Sequence, residues 1–231
     1  SKEIEATEIS IKTVLEKSDR FKGRLRLQKT KYLTGERTKE AIYRENGCVF
    51  RFNVDNCYFS PRLSSERKEV ASFIKKGENV LVLFGGVAPY AVVIAKLSNA
   101  KKIVSVEIGR ECNKYALENV RRNKLSDRIE LIQGDVRKVF SGKVNERFDR
   151  IVMPRPNLKD SFLDVAFSVI KKGGMIYYYG FYSENEIGRL KELILDEALK
   201  ARKKIRILRV KKAGEIGVRR YRYRIDFKVL S

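Results

Sequence analysis

The sequence predicts an α/β fold: a doubly wound, mostly parallel sheet over residues 64–231, preceded by a small β-rich α+β unit over residues 1–63. The prediction rests on changes of pattern along the chain. In the first third, short alternating runs surround a turn signal. From residue 64 onward, apolar strand-like runs alternate with helix-like ones. The last thirty or so residues alternate basic and apolar side chains at period two.

Residues 8–17, EISIKTVLEK, carry a mixed pattern that suits a helix or a strand fused to one, and residues 24–29, RLRLQK, alternate. AIYREN-G-CVFRFNV reads as two strands joined through Glu45-Asn46-Gly47. Ser64 and Ser65 precede ERKEVASFIKK, an expected N-capped amphipathic helix closed by Gly77. The series NVLVLFG, KIVSVEI, IELIQGD, FDRIVMP and GGMIYYYGFY supplies strands. Helices PYAVVIAKLS, ECNKYALENVRRNKL, LKDSFLDVAFSVI and ENEIGRLKELILDEALKAR follow in alternation. Such short apolar strands fit a sheet covered on both faces. IRILRV and VRRYRYRIDFKVL then flank the turn KKAGEIG as an antiparallel hairpin on the sheet edge. In its second strand Tyr221, Tyr223, Ile225, Phe227 and Val229 share one face, and Arg220, Arg222, Arg224 and Lys228 the other.

Lys and Arg number 51 against 29 Asp and Glu, leaving +22 at pH 7. Residues 200–231 hold 13 bases and 2 acids, so half of that surplus lies in the tail. One sign winning by so much favours a polyanionic partner, because each neutralised phosphate releases counterions. The tail hairpin is either a nucleic-acid contact or a charged, aggregation-resistant edge. Three cysteines, Cys48, Cys57 and Cys112, include no CxxC pair, so neither a disulfide framework nor a metal site is expected. No apolar run is long enough to span a bilayer, and a cytoplasmic monomer is expected. The chain contains no histidine, so any proton transfer must use another side chain.

Ligands of open α/β sheets bind beyond the carboxyl ends of the strands. Phe84, Gly85 and Gly86 end the first such strand, with Pro89 opening the next helix. Glu107 and Ile108 end the second, where an acid suits ribose hydroxyls. Gly134, Asp135 and Val136 end the third, with Asp135 placed for an adenine amino group. Met153-Pro154-Arg155-Pro156 ends the fourth and should face the reacting group. A lone acid at a strand end is often only a helix cap; the four ends in series point to an adenosine-containing cofactor. The antiparallel tail favours S-adenosylmethionine over a nicotinamide dinucleotide.

The segments YFSPRLSSER, FGGVAPY, ALENVRRNK, DRIVMPRP and KKGGMIYYY, taken together from about residue 10 onward, resemble the archaeal and eukaryotic tRNA (guanine-37-N1)-methyltransferases. Their wyosine-pathway sisters, including aminocarboxypropyl transferases, share these motifs. The resemblance implies a Rossmann-like class I S-adenosylmethionine-dependent methyltransferase domain acting on the anticodon stem-loop of tRNA. It also implies roles. Glu66 would accept the proton of guanine N1, and Arg26 would stabilise charge growing on O6. Tyr58 would pack against the methyl donor or the base. Arg62 and Arg67 would hold the RNA backbone or Glu66, and Arg155 and Pro156 would meet the base. The local alternative is that Glu66 serves the helix dipole and pairs with Arg62 or Arg67. Family members often carry a further N-terminal domain, and a segment upstream of Ser1 is expected.

The sequence departs from the family in places. Val82 stands where an acid is usual, Gly85 and Ala88 replace an Ala and a Gly, and MPRP replaces an Asn-containing turn. Wyosine-ring methylation, aminocarboxypropyl transfer and a non-catalytic RNA-binding role therefore stay open beside N1 methylation.

Overall fold

The computed structural model describes residues 11–18, 28–142, 146–156 and 158–231. Strands β1 (Thr13–Lys17) and β2 (Thr30–Gly35) form one antiparallel pair, β3 (Glu40–Glu45) and β4 (Cys48–Asn53) another. The β3–β4 turn holds Asn46 and Gly47 at φ 50° and 71°, the mirror-image turn that an Asn-Gly pair makes readily. A 3-10 turn at Pro61–Leu63 runs into α1 (Ser64–Ser72). There follow β5 (Asn79–Leu83), α2 (Pro89–Leu97), β6 (Lys102–Glu107), α3 (Arg110–Arg122), β7 (Ile129–Gln133), α4 (Val136–Val139), β8 (Phe148–Met153), α5 (Leu163–Val169), β9 (Ile170–Tyr182) and α6 (Ile187–Lys200). The hairpin β10 (Ile205–Gly217) and β11 (Arg220–Val229) closes the chain.

The main sheet has the order β10-β11-β9-β8-β5-β6-β7, parallel from β9 through β7 and antiparallel at β11 and β10. Along β5, Val80 and Val82 join the core beneath α1, α2 and α3, while Leu81 and Leu83 join the core beneath α5 and α6. Burial on both faces is why these strands are apolar without alternation. The leading hairpin shares the first core: Cys48, Phe50, Phe52 and Cys57 pack with α2 and α3. Asn119 of α3 and Asn123, which follows its last turn, complete the hairpin's edge. Asn119 bonds Arg51 N and O at 2.7 and 3.1 Å, and Asn123 bonds Val49 N and O at 2.9 and 2.7 Å. A side-chain amide thus substitutes for a neighbouring strand. Among the described residues no helix is long and apolar enough to cross a membrane.

Several expectations are corrected. The residue before α1 is Leu63, no side chain caps the helix, and it ends at Ser72, before Gly77. The preceding 3-10 turn already supplies the entry that a serine cap would have provided. The helix expected across 158–170 is confined to Leu163–Val169, and β9 begins at Ile170. KKAGEIG is the end of β10, with the turn at 218–219. The largest correction concerns the tail's basic face. The hairpin takes the sheet edge as expected, but β10 is its outer strand and β11 lies covered between β10 and β9, with Arg222 and Arg224 5% and 0% exposed. Those two arginines face the interior, and the exposed bases of the hairpin belong to β10, the turn and Arg220 at the start of β11.

Candidate active site

A cavity opens beyond the carboxyl ends of β5, β6 and β8, where the strand order reverses. Its floor is the turn after β5. Gly85 lies so close to β6 that a Cβ would meet Ser105 Oγ at 2.2 Å. Gly86 is left-handed, at φ 58°, and a Cβ there would face Tyr58 O at 3.9 Å. Phe84 and Ala88 are also left-handed, at φ 61° and 65°. For residues carrying a Cβ this costs about 1 kcal/mol each, a concentration of strain typical of binding turns. Pro89 opens α2, where its missing N–H is harmless.

Glu107 is fixed by backbone alone. Its Oε2 accepts from Gly86 N at 2.8 Å and its Oε1 from Gly109 N at 2.6 Å. Burial pushes its pKa above the ordinary carboxylate value, against the N–H groups of Gly109, Gly86 and Ile108, which hold the charged form. The carboxylate therefore bridges the turns after β5 and β6 and lines the cavity. Val106, Ile108, Val136, Pro154, Pro156 and Leu158 add apolar wall.

Of the residues expected to bind the cofactor, Tyr58, Phe84, Gly85, Gly86, Pro89, Glu107, Ile108, Val136 and Pro154 come together on this cavity. Gly134 and Asp135 do not line it; Asp135 caps α4, accepting from Arg137 N at 2.9 Å. Among the expected substrate contacts, Pro156 and Arg67 reach the wall. Arg67 is fully buried, its Nε 2.5 Å from Glu45 Oε1, and it donates to Ser60 O at 3.0 Å, pinning the 58–63 segment. Arg155 is buried beneath its own loop, donating to Leu158 O and Asp160 O over the Tyr178 ring. Arg62 is exposed and off the cavity.

Glu66 is not part of the cavity wall. It is 4% exposed and accepts from Tyr179 Oη at 2.8 Å, Lys211 Nζ at 3.0 Å and Arg224 Nη1. Arg224 also reaches Glu69 Oε2 at 3.3 Å and Asp226 Oδ1 at 2.6 Å. Neither Arg62 nor Arg67 is its partner; α1 turns Glu66 toward β10 and β11. Tyr90 lines the cavity, and its ring lies 5.9 Å from that of Tyr179, so one aromatic layer separates the cluster from the cavity. Arg26 lies outside the described residues.

Sequence reasoning missed Tyr90 and Arg222 as lining residues. Tyr90 directly follows Pro89 in the turn already suspected, so its place at the helix start was a usable signal. Arg222 had a misleading one, because alternation in an assumed edge strand reads as a solvent face.

A doubly wound sheet ending in an antiparallel hairpin, with a carboxylate-bridged glycine turn at its switch point, has the architecture of an S-adenosylmethionine-dependent methyltransferase. The chain belongs to the TRM5/TYW2 methyltransferase-domain family, whose family model matches residues 41–208. It is 34% identical over 221 residues to the tRNA (guanine(37)-N(1))-methyltransferase Trm5b of Pyrococcus abyssi, covering 95% of this chain and 64% of that protein. It is 32% identical to the tRNA (guanine(37)-N(1))/4-demethylwyosine(37)-methyltransferase Taw22 of Nanoarchaeum equitans, covering 95% and 89%. The crystal structure of P. abyssi Trm5b superposes with a TM-score of 0.84 over 96% of this chain and 65% of that one. That of Methanocaldococcus jannaschii TYW2 in complex with AdoMet, 26% identical, superposes at 0.75 over 87% and 90%. The chain thus spans slightly under two thirds of Trm5b.

Proposed function

We propose that this chain is an S-adenosylmethionine-dependent tRNA methyltransferase acting on N1 of guanine 37. The observation that carries the reading is the Gly86–Glu107–Gly109 bridge on a mainly apolar cavity, which offers an acceptor for ribose and an apolar wall for adenine. S-adenosylmethionine, when bound, supplies an electrophilic methyl group. The chain's own work is to hold the ligand, exclude water and accept the N1 proton. Glu107 would take the ribose hydroxyls, Val106, Ile108 and Val136 would enclose the adenine, and Pro154 and Pro156 would border the target base.

We assign the proton acceptor to Glu66 and the stabilisation of O6 to Arg26. What supports Glu66 is the YFSPRLSSER pattern of the family and a position one aromatic layer behind the cavity. The geometry adds a condition. A carboxylate held by Arg224 and Lys211 cannot take a proton from a base it does not touch, so tRNA binding must draw Glu66 past Tyr90. Glu66→Gln tests this: turnover should fall on the order of 10² to 10⁴-fold with cofactor affinity unchanged. Full activity of that variant removes the assignment. Mapping the methylated nucleoside in transcripts carrying guanine or adenine at position 37 tests the reaction itself.

The anticodon stem-loop is the expected partner. Support comes from exposed bases on the tail, among them Lys204, Arg206, Arg209, Lys212, Arg219 and Arg220, and from exposed Arg62 in the 3-10 turn before α1. We place the enzyme in the cytoplasm as a monomer. A second reading, methylation of the tricyclic wyosine precursor at the same nucleotide, is favoured by the match to Taw22 over 95% of this chain and 89% of that protein.

A further inference from the structure

We propose that Arg222 is the anchor for the α-carboxylate of the amino-acid part of the cofactor. The inference rests on the adenosylmethionine reading of the cavity given above. Arginine side chains are buried at Arg67, Arg150, Arg155, Arg222 and Arg224. Arg67 pairs with Glu45, Arg150 with Glu78, and Arg224 with Glu66, Glu69 and Asp226. Arg155 donates to carbonyls of its own loop. Arg155 also has a buried Nε without an acceptor, but its Nη2 donates to two carbonyls; Arg222 lacks even those. No carboxylate among the described residues lies within 4.0 Å of it. Its side chain makes one hydrogen bond, Nη2 to Tyr58 Oη at 3.3 Å, and its buried Nε has no acceptor. Its other neighbours are ring faces: Phe181, its cross-strand partner, at 4.9 Å, and Tyr58 at 6.0 Å.

A guanidinium carries its charge at any physiological pH, and ring faces and one phenol oxygen do not replace the water it has lost. An anion entering the cavity completes it. Arg222 lines that cavity, and Tyr58 links it to the adenosine end: the Tyr58 hydroxyl meets Arg222, and its carbonyl backs Gly86, whose N–H is held by Glu107. A planar guanidinium fork on the cavity wall suits a carboxylate. The favoured source is the cofactor because Arg222 is 5% exposed, inside the wall with Leu63 and Tyr90. A phosphodiester would meet the exposed neighbours Arg219 and Arg220 first.

The test is calorimetry of wild type, Arg222→Met and Arg222→Lys with two ligands. These are S-adenosylhomocysteine and S-adenosyl-3-thiopropylamine, the same molecule without its carboxylate. Wild type should prefer the carboxylate ligand by about 10- to 100-fold, as a charge-assisted pair implies. Arg222→Met should erase that preference while leaving the amine ligand's affinity within about threefold, and Arg222→Lys should restore part of it. An equal loss for both ligands, or a preference kept in Arg222→Met, overturns the proposal while the cofactor reading stands. Wild type binding neither ligand overturns both. Tight binding of both with weakened tRNA binding alone in Arg222→Met assigns the arginine to phosphate and also overturns it.

Discussion

Glu107, half-buried on the cavity wall, and Glu66, buried behind it, are carboxylates that the molecule treats oppositely. Glu107 is held by backbone N–H groups of its own and the adjacent turn, so its position follows from strand order and turn geometry. Glu66 is held by side chains 113 to 158 residues away, on β9, β10 and β11. A backbone cradle leaves a carboxylate with accepting capacity to spare for a ligand. A cradle of cations consumes that capacity. The comparison locates ligand binding at the mouth of the parallel sheet and stored charge at the seam between α1 and the tail.

The largest effect should come from emptying the seam. Arg224→Met leaves Glu66, Asp226 and partly exposed Glu69 without their shared cation. Breaking a buried ion cluster in this way costs about 3–5 kcal/mol. Denaturant unfolding is the measurement, and a loss below about 1 kcal/mol would show that the cluster is solvated in solution. The pH signature has a definite sign. Burial alone would raise the Glu69 pKa, but the Lys211 hydrogen bond and the charge of Arg224 reverse this and leave it lowered. Its contribution is therefore fully present above the ordinary carboxylate value and lost as pH falls through the lowered one. Arg224→Met should remove part of that acid sensitivity.

At the mouth the expected effect is on binding, and smaller. Glu107→Gln keeps the shape but loses the charge that strengthens both the N–H cradle and the ribose contact. Charged hydrogen bonds of this kind contribute about 1.5–3 kcal/mol, so adenosylhomocysteine affinity should fall roughly 10- to 100-fold. Its pH dependence is opposite in sign to that of Glu69. A raised folded pKa means that the ionised group opposes folding at neutral pH and that protonation on acidification relieves the fold. Ligand affinity should instead fall on acidification, beginning above the ordinary carboxylate value, because a protonated Glu107 donates where it must accept. Titrating affinity against pH for wild type and Glu107→Gln checks this: the dependence should flatten in the variant.

The same contrast explains what was legible beforehand. Strand-end residues were readable because apolar runs mark strands, and the residue after each run must sit at the mouth. Gly85, Gly86, Glu107 and Pro154 were found this way. Asp135 shows the limit, since a strand-end acid can turn aside to cap the next helix. The surroundings of Glu66 were not readable. They depend on β11 inserting between β9 and β10, and period-two alternation looks the same in a covered strand as at an open edge. Arg222 and Arg224 were misjudged for that single reason, and the anion partners of Arg224 and the lack of one for Arg222 among the described residues followed unseen.

The smallest effect provides the control for burial. Arg137 joins Asp160 and Asp164 in a cluster of the same chemistry as Arg224 with Glu66, Glu69 and Asp226. The Arg137 side chain is 44% exposed, however, and its partners 42% and 51%. Water already solvates those carboxylates, so Arg137→Met should change stability by no more than about 1 kcal/mol, an effect that shrinks further in high salt. The matched substitution at Arg224 should keep most of its effect in salt, because buried charges are poorly screened. Measuring both variants at low and high ionic strength separates charge from burial. Equal losses at the two sites would mean that the Arg224 seam is open to solvent, and Glu66 could then reach the cavity without the displacement that its present partners require.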